Sequence, residues 1–300
     1  LNNNVRLRLI HISRCRGITR RIIRRLLQID STLSGVYKLT PHEISKHLQI
    51  PFKNATLFYQ DLHQNRMKKQ LIKDLRLYKT ITIVDENYPA MLNTIKDAPL
   101  VLYVKGDLSL LQYKQKLSVI GTRNPSKEAM IKLEHIVKPL VKDNWLIVSG
   151  LAKGIDSLAH QTALINQGKT IAVLGSGFHH IYPKQNTNLF HQIAKYGLVL
   201  SEYPPDIRPV KYHFPERNRI ISGLSFGTLV IEATEKSGTL ITVDQALDQG
   251  REVYAVPGSP TIPQTKGCHQ MIQDGAKLVQ SPIDIQEDWD YLSKVNWLAD

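Results

Sequence analysis

The stretch Leu146-Ile147-Val148-Ser149-Gly150-Leu151-Ala152-Lys153-Gly154-Ile155-Asp156 sets the fold. Leu146–Val148 is a short apolar, β-branched run that reads as a strand. The glycines punctuate a loop, and a helical pattern follows over Asp156–Asn166. The same unit recurs outward in both directions. Further strand-like runs fall at Leu100–Val104, Leu117–Ile120, Thr170–Leu174, Leu198–Leu200, Thr228–Ile231 and Val253–Val256. Candidate helices lie near Lys127–Val141, Leu189–Tyr196 and Thr239–Asp248. Strands that are apolar throughout and alternate with helices predict an α/β domain: a parallel sheet covered on both faces.

In an open parallel sheet, ligands bind beyond the carboxyl ends of the strands. The distinctive residues collect there. Gly121-Thr122-Arg123-Asn124-Pro125-Ser126 follows one strand, and the Ser149–Asp156 loop follows the next. Gly175-Ser176-Gly177 with Tyr182-Pro183-Lys184-Gln185-Asn186 follows a third; Glu232 and then Ser237-Gly238-Thr239 follow a fourth. Glycine lets a backbone approach a phosphate, and a following helix offers free N–H groups to it. One such loop is often only a tight connection. Four on one edge, with Arg123, Lys153 and Lys184 among them, point to a shared anionic ligand. Asp156 is expected to cap its helix, because a carboxylate where a phosphate sits would repel it, and Ser237 reads as another N-cap.

The run His213-Phe214-Pro215-Glu216-Arg217-Asn218-Arg219-Ile220-Ile221-Ser222-Gly223, with Lys211 before it, adds an aromatic ring and fixed cations. A flat face for a base with charges beside it for phosphates is what a single-stranded nucleic-acid site requires. The plainer alternative is a helix N-terminus with its arginines in ordinary ion pairs.

Charge is unevenly spread. The chain of 300 residues carries a net +13, and residues 1–79 hold 17 Lys+Arg against 4 Asp+Glu, so the whole excess lies in the first quarter. That quarter reads as helical. Ile18, Ile22, Ile23, Leu26 and Leu27 recur at helical spacing opposite Arg20, Arg21, Arg24 and Arg25, with Gly17 as a weak turn signal. Thr40-Pro41-His42-Glu43 is a capping box with Pro at the first helical position. Leu57, Leu62, Leu71, Ile72 and Leu75 mark at least one more helix. A basic module of this kind suits a polyanion partner or is a solvated helix surface; composition leaves both open.

Several classes are disfavoured. Cys15 and Cys268 lie far apart, against a disulfide framework or zinc site and in keeping with a reducing cytoplasm. No apolar run approaches the roughly 18 residues of a membrane span. Residues 1–29 are Arg-rich and acid-free like a presequence, but that character continues well beyond presequence length. Leu1 in the place of Met leaves a fragment or a non-standard start codon open. Gly175-Ser176-Gly177 does not complete a dinucleotide fingerprint, because His180 replaces the third glycine and Tyr182-Pro183 disrupts the following helix. His179, His180 and His191 lack metal-ligand spacing with other ligands, and no nucleophile elbow is present. Neither metal nor cofactor is expected.

Taken together, several motifs in order resemble the bacterial DNA-processing protein A group (DprA, or Smf) over roughly residues 80–280. They are Gly121-Thr122-Arg123, Ser149–Asp156, Tyr182-Pro183 with Asn186, and Phe214-Pro215 with Arg217-Asn218-Arg219-Ile220-Ile221. Glu232 with Ser237–Thr242, Gly250-Arg251, Pro257-Gly258 and Gly275-Ala276 complete the set. The resemblance implies a basic helical domain over 1–79, an extended Rossmann-like domain over 80–280 and a short acidic tail over 281–300. It also implies a cytoplasmic, non-enzymatic homodimer that binds single-stranded DNA and loads a RecA-type recombinase during natural transformation. By resemblance the DNA pocket falls on Arg123, Lys184, Lys211 and Phe214. The residues themselves add Arg217, Arg219, Gly121, Gly150, Lys153, Gly154, Ser237, Gly238 and Thr239 to the expected site. His179 and His269 depart from the commoner Asp and Asn. Many members continue into a winged-helix domain, for which this chain is expected to be too short.

The rival is a nucleotide-cleaving Rossmann-like enzyme, phosphoribohydrolase-like, using Glu232 with Gly227-Thr228. The basic domain and an exposed Phe-Arg-Asn-Arg run argue against it, since a mononucleotide pocket needs neither. For assembly, Met271, Ile272 and Leu278 lie near the last sheet edge, and a second copy is one way to cover it. Cover by the tail through Trp289, Leu292 and Trp297 is the other.

Overall fold

The computed structural model describes residues 2–294. The chain forms two compact units. One comprises the chain up to Tyr88 together with Lys96–Val104; the other comprises Pro89–Ile95 and the chain from Lys105 onward. The expected boundary after residue 79 coincides with the start of a strand that still belongs to the first unit.

The first unit carries helices Asn2–Ile12, Arg20–Ile29, Pro41–Leu48, Phe52–His63 and Asn65–Leu77. Their ends follow from local chemistry. Thr19 caps the second helix, and the Thr40 hydroxyl accepts from the Glu43 N–H while the Glu43 carboxylate accepts from the Thr40 N–H at 2.7 Å. A cap of this kind contributes about 1 kcal/mol. Ile23 and Leu26 face inward with Leu9, Ile44, Phe58 and Leu62. Strands β1 (Lys79–Thr82) and β2 (Val101–Gly106) pair antiparallel from Lys79↔Val104 to Thr82↔Val101. The last two residues of β2 belong to the second unit.

The second unit is built on β3 (Lys116–Ile120), β4 (Leu146–Ser149), β5 (Thr170–Leu174), β6 (Leu198–Ser201), β7 (Gly227–Val230), β8 (Glu252–Ala255) and β9 (Lys277–Leu278). Their order is β6-β5-β4-β3-β7-β8-β9, and every one of these neighbouring pairs is parallel. This is a doubly wound, Rossmann-like α/β sheet. The chain runs outward from β3 to β6, returns through the helix His213–Gly223, and resumes beside β3 at β7. The order reverses there, and such a reversal opens a crevice at the strands' carboxyl ends.

Both faces are covered because the strands are buried throughout. On one face Leu117, Ile147 and Leu229 pack with Leu133, Val137, Ala159 and Ala163 from two helices. The helix expected near Lys127–Val141 comprises two α-helical segments, Ala129–Lys132 and Lys138–Lys142, joined by a π-helical turn over Leu133–Val137. Beyond β9 the helix Ile283–Lys294 starts where the Asp284 carboxylate accepts the Gln280 and Ser281 N–H groups, each at 2.8 Å. Trp289 then meets Trp145 and Phe226 edge-on, with ring centroids 5.7 and 5.3 Å away. Such pairs contribute about 0.5–1.5 kcal/mol each beyond their burial. The tail therefore covers this core from within one chain through Trp289 and Leu292; Trp297 lies outside the described residues. Of the three residues expected at an intermolecular surface, Met271 is buried in its own unit, Ile272 is half-buried and Leu278 is exposed.

Candidate functional site

A cavity of about 610 Å³ opens at the carboxyl ends of β3 and β7, where the strand order reverses. It lies wholly in the second unit. Its rim carries Arg123 and Lys211, its wall Phe214, and its far side the turn Ser237-Gly238-Thr239 at the start of the helix Thr239–Asp248. An adjoining recess of about 240 Å³ shares Arg123, Phe214 and Arg217 and adds Gly150 and Lys153. Lys184 is exposed between Pro183 and Gln185, which line that recess.

The rim is held rigidly. The Thr122 N–H donates to the Glu232 carbonyl at 2.7 Å, and the Thr122 carbonyl accepts from the Ile155 N–H at 3.1 Å. Gly154 has φ +84°, and a Cβ there would stand 2.3 Å from the Thr122 carbonyl oxygen. Gly154 thus belongs to the site as the residue that lets two loops meet, and it lines neither cavity. Ser237 accepts the Thr239 N–H at 3.2 Å, although the N-cap position itself is Gly238. The Leu240 N–H is likewise held, by the Ser237 carbonyl at 3.1 Å, so the first N–H groups of this helix are engaged within the turn that lines the cavity.

The helix His213–Gly223 delivers the aromatic face. Its first turn is pinned by His213, which stacks on Tyr203 at 3.9 Å between centroids and shares a hydrogen bond with the Gly175 carbonyl at 3.2 Å. Burial lowers the His213 pKa from its ordinary value. Tyr203 in turn donates to Glu216 at 2.9 Å. Phe214, half-buried, lies 5.4 Å from the exposed ring of Tyr182, giving two aromatic rings side by side on the cavity wall.

Arg217 and Arg219 are not exposed, contrary to expectation. Arg217 is 4% exposed; its guanidinium donates to the Gly150 and Val173 carbonyls and, through Nε, to the Asn218 Oδ1 at 3.1 Å. A Cβ on Gly150 would come within 2.5 Å of that guanidinium, so glycine is needed for the close approach. Burial pulls the Arg217 pKa down to about 10, which leaves it cationic at neutral pH as a charge beneath the cavity floor. Asp156 is its counter-charge. It does not cap its helix, whose N-cap is Gly154; it reaches back to accept the Gly150 and Ala152 N–H groups at 3.2 and 3.4 Å. Burial pushes its pKa up, and Arg217 opposes that rise. Arg219 turns away from the cavity into a buried pair with Glu202 at 2.5 Å. The signal that separates these arginines from Lys211 is non-local: their partners come from β4, β5 and the end of β6.

Glu232, the candidate catalytic carboxylate of the rival reading, is fully buried. It accepts from the Ser126 N–H and hydroxyl at 2.8 and 2.6 Å and from Lys132 at 3.0 Å, tying the 126–132 segment to the end of β7. It lines neither cavity, and both its oxygens are engaged in structural hydrogen bonds. Among the described residues no group of three or more His, Cys, Asp or Glu could hold a metal, and no helix is long and apolar enough to cross a membrane. Sequence reasoning passed over Asn218, Tyr182 and Thr242, which also line the main cavity. Asn218 carried a signal in its place between two arginines.

Known proteins share this architecture. The Bacillus subtilis DNA processing protein DprA is 48% identical over 209 residues, 70% of either chain. The Streptococcus pneumoniae DprA is 46% identical over 221 residues, covering 74% of this chain and 78% of that one. The X-ray structure of the pneumococcal DprA aligns over 93% of this chain and 95% of its own with a TM-score of 0.82 at 40% identity. A Helicobacter pylori DNA processing protein A, whose structure was described for its single-stranded DNA binding mode, aligns over 72% of this chain and 96% of its own. There the TM-score is 0.62 at 30% identity. The sequence model of the DNA recombination-mediator protein A family matches residues 79–290. With a doubly wound sheet, a cation-rimmed crevice at its reversal point and this breadth of similarity, the chain belongs to the DNA recombination-mediator protein A family.

Proposed function

We propose that this protein binds single-stranded DNA across the cavity at the β3/β7 reversal and mediates recombination by loading a RecA-type recombinase onto it, without cutting the strand. The observation that carries the reading is the pairing of exposed cations with aromatic rings on one wall. Arg123 and Lys211 meet backbone phosphates, and Phe214 stacks a base. Lys153 and the exposed Lys184 extend the positive track. The Helicobacter pylori neighbour, described for single-stranded DNA binding, supports the same ligand here. Glu232, buried and bonded through both oxygens to Ser126 and Lys132, supports a binding role over nucleotide cleavage.

The protein acts in this reading as a cytoplasmic homodimer serving DNA uptake in natural transformation. Leu278, 40% exposed on the two-residue edge strand β9, is the apolar residue a second copy would cover. Leu278→Glu is then expected to shift the protein from dimer to monomer in sedimentation, while short oligonucleotides still bind. A monomeric wild type at micromolar concentration would contradict the assembly. For the ligand, a gel shift comparing single- and double-stranded oligonucleotides tests the reading: preference for the single strand is expected, and equal or absent binding would refute it.

A further inference from the structure

An open groove of about 470 Å³ in the first unit is lined by residues of the helices Asn2–Ile12 and Asn65–Leu77 and of the 3-10 turn Gly35–Lys38. Lys68, Leu71, Ile72 and Leu75 fall at i, i+3, i+4 and i+7, so one stripe of the longer helix faces it. Across from them stands the exposed Leu7. His11, buried in the lining, stacks on Tyr37 and shares a hydrogen bond with its hydroxyl at 2.8 Å. Burial, aided by Lys68, lowers the His11 pKa to about 4, which leaves that ring uncharged at neutral pH. The fixed charges around the groove are all positive. Arg8, Lys38 and Lys68 line it, no Asp or Glu does, and none of the three makes a salt bridge among the described residues.

The second unit presents the opposite pattern. Its tail helix Ile283–Lys294 buries Ile285 and Trp289 and leaves Ile283, Glu287, Asp290 and Tyr291 exposed, at i, i+4, i+7 and i+8. Glu287 and Asp290 make no salt bridge among the described residues, whereas Asp284 and Asp288 are held by the Ser281 N–H and Lys277 of their own unit. The stripe ends at Lys294. We infer that the groove of one copy receives the outward stripe of a second copy's tail helix, with apolar side chains in the trough and the free carboxylates at its cationic rim. This is helix-in-groove recognition. The spacings match: Lys68 and Ile72 stand one turn apart, as do Glu287 and Tyr291. With the two helices parallel, seating Tyr291 against Ile72 brings Glu287 to Lys68. A nucleic-acid strand would satisfy the rim but leave Leu71, Ile72 and Leu75 uncovered. Each copy offers one groove and one stripe, so the contact is heterologous and joins copies in rows. It is distinct from pairing through the β9 edge and stands without it.

Two variants of the full chain test this, both carrying Leu278→Glu so that the β9 edge cannot contribute. One adds Ile72→Cys in the groove and the other Tyr291→Cys on the tail; the native Cys15 and Cys268 are buried. One helix in one groove is a small contact beside the roughly 1,200–2,000 Å² of a stable interface. The two variants are therefore mixed under mild oxidation above the concentrations at which Leu278→Glu sediments as a monomer. The mixed disulfide is expected in excess of random pairing. Lys68→Glu on the groove copy should lower its yield about threefold, and Glu287→Lys on the tail copy should restore it. Mixed and same-variant disulfides in random proportion would overturn the inference, as would an excess that charge reversal leaves unchanged. Loss of single-stranded DNA affinity in Lys68→Glu with the disulfide yield unchanged would assign the groove to nucleic acid and overturn it too.

Discussion

The two units handle positive charge in opposite ways. The first holds most of the chain's excess, yet many of its arginines are engaged internally. Arg14 reaches Asp74 at 2.7 Å, Arg16 reaches Asp61 at 2.7 Å, Arg20 reaches Asp97 at 2.9 Å, and Arg6 reaches Asp85 at 3.1 Å. Asp85 and Asp97 lie beyond residue 79 but inside the same unit, so the surplus is smaller than the count over 1–79 implies. The second unit is nearly balanced in composition, yet Arg123, Lys153, Lys184 and Lys211 are exposed and make no salt bridge among the described residues. What a ligand meets is set by which cations lack a partner, more than by how many a segment contains.

The largest expected effect probes the cation that lies hidden under the site. Arg217→Met removes the counter-charge of Asp156 and leaves the Gly150 and Val173 carbonyls unpaired, and should cost about 3–5 kcal/mol in chemical denaturation. Arg20→Met in the first unit breaks a pair that is part-exposed on both sides and should cost no more than about 1 kcal/mol. Equal costs would erase the distinction between a built-in charge and a surface one.

Acid should weaken both units. Burial lowers His11 in the first to about 4 and His160 in the second to about 3. Each unfolded histidine takes up its proton near 6.5, whereas the folded one resists until those lower values, so the unfolded chain binds more protons between them. Their contribution is complete above pH 6.5 and is lost as pH falls toward 4 and 3, on the order of a few kcal/mol. Denaturation midpoints measured from pH 7 to pH 4 should fall, and His160→Gln should flatten the fall. A midpoint insensitive to pH in that window would contradict the buried, neutral state of these rings.

Smaller effects concern binding. Phe214→Ala should cost roughly 1–3 kcal/mol of single-strand affinity with little change in salt dependence. Arg123→Ala and Lys211→Ala should each flatten the salt slope by about 0.7. Smallest of all, neutralising the exposed Arg66 and Lys69 of the first unit should slow association modestly at low salt and leave high-salt affinity unchanged. An effect from Arg66 and Lys69 larger than from Lys211 would reverse the comparison.

Much of the sheet was legible from sequence because buried parallel strands are apolar at every position. The Thr170–Leu174 strand and the Thr239–Asp248 helix have the bounds that periodicity predicts. β1 escaped notice because Lys79-Thr80-Ile81-Thr82 is short and polar, and β9 because two residues carry no period. Within the site, the turn at Arg123 and the ring of Phe214 were readable from local pattern. The fates of Arg217, Arg219, Asp156 and Glu232 were not. Each is decided by carbonyls, N–H groups or charges contributed by distant loops, and a charged side chain looks the same in sequence whether it faces a ligand or its own core.

The measurement that bears most directly on this account is the salt dependence of single-stranded DNA affinity for the wild type and an Arg123→Ala, Lys211→Ala double variant. The wild type should show log affinity falling linearly with log salt, with the variant weaker and its slope shallower by about 1.4, two phosphate contacts' worth. Coincident lines for the two proteins would contradict the assignment of the β3/β7 crevice as the DNA site.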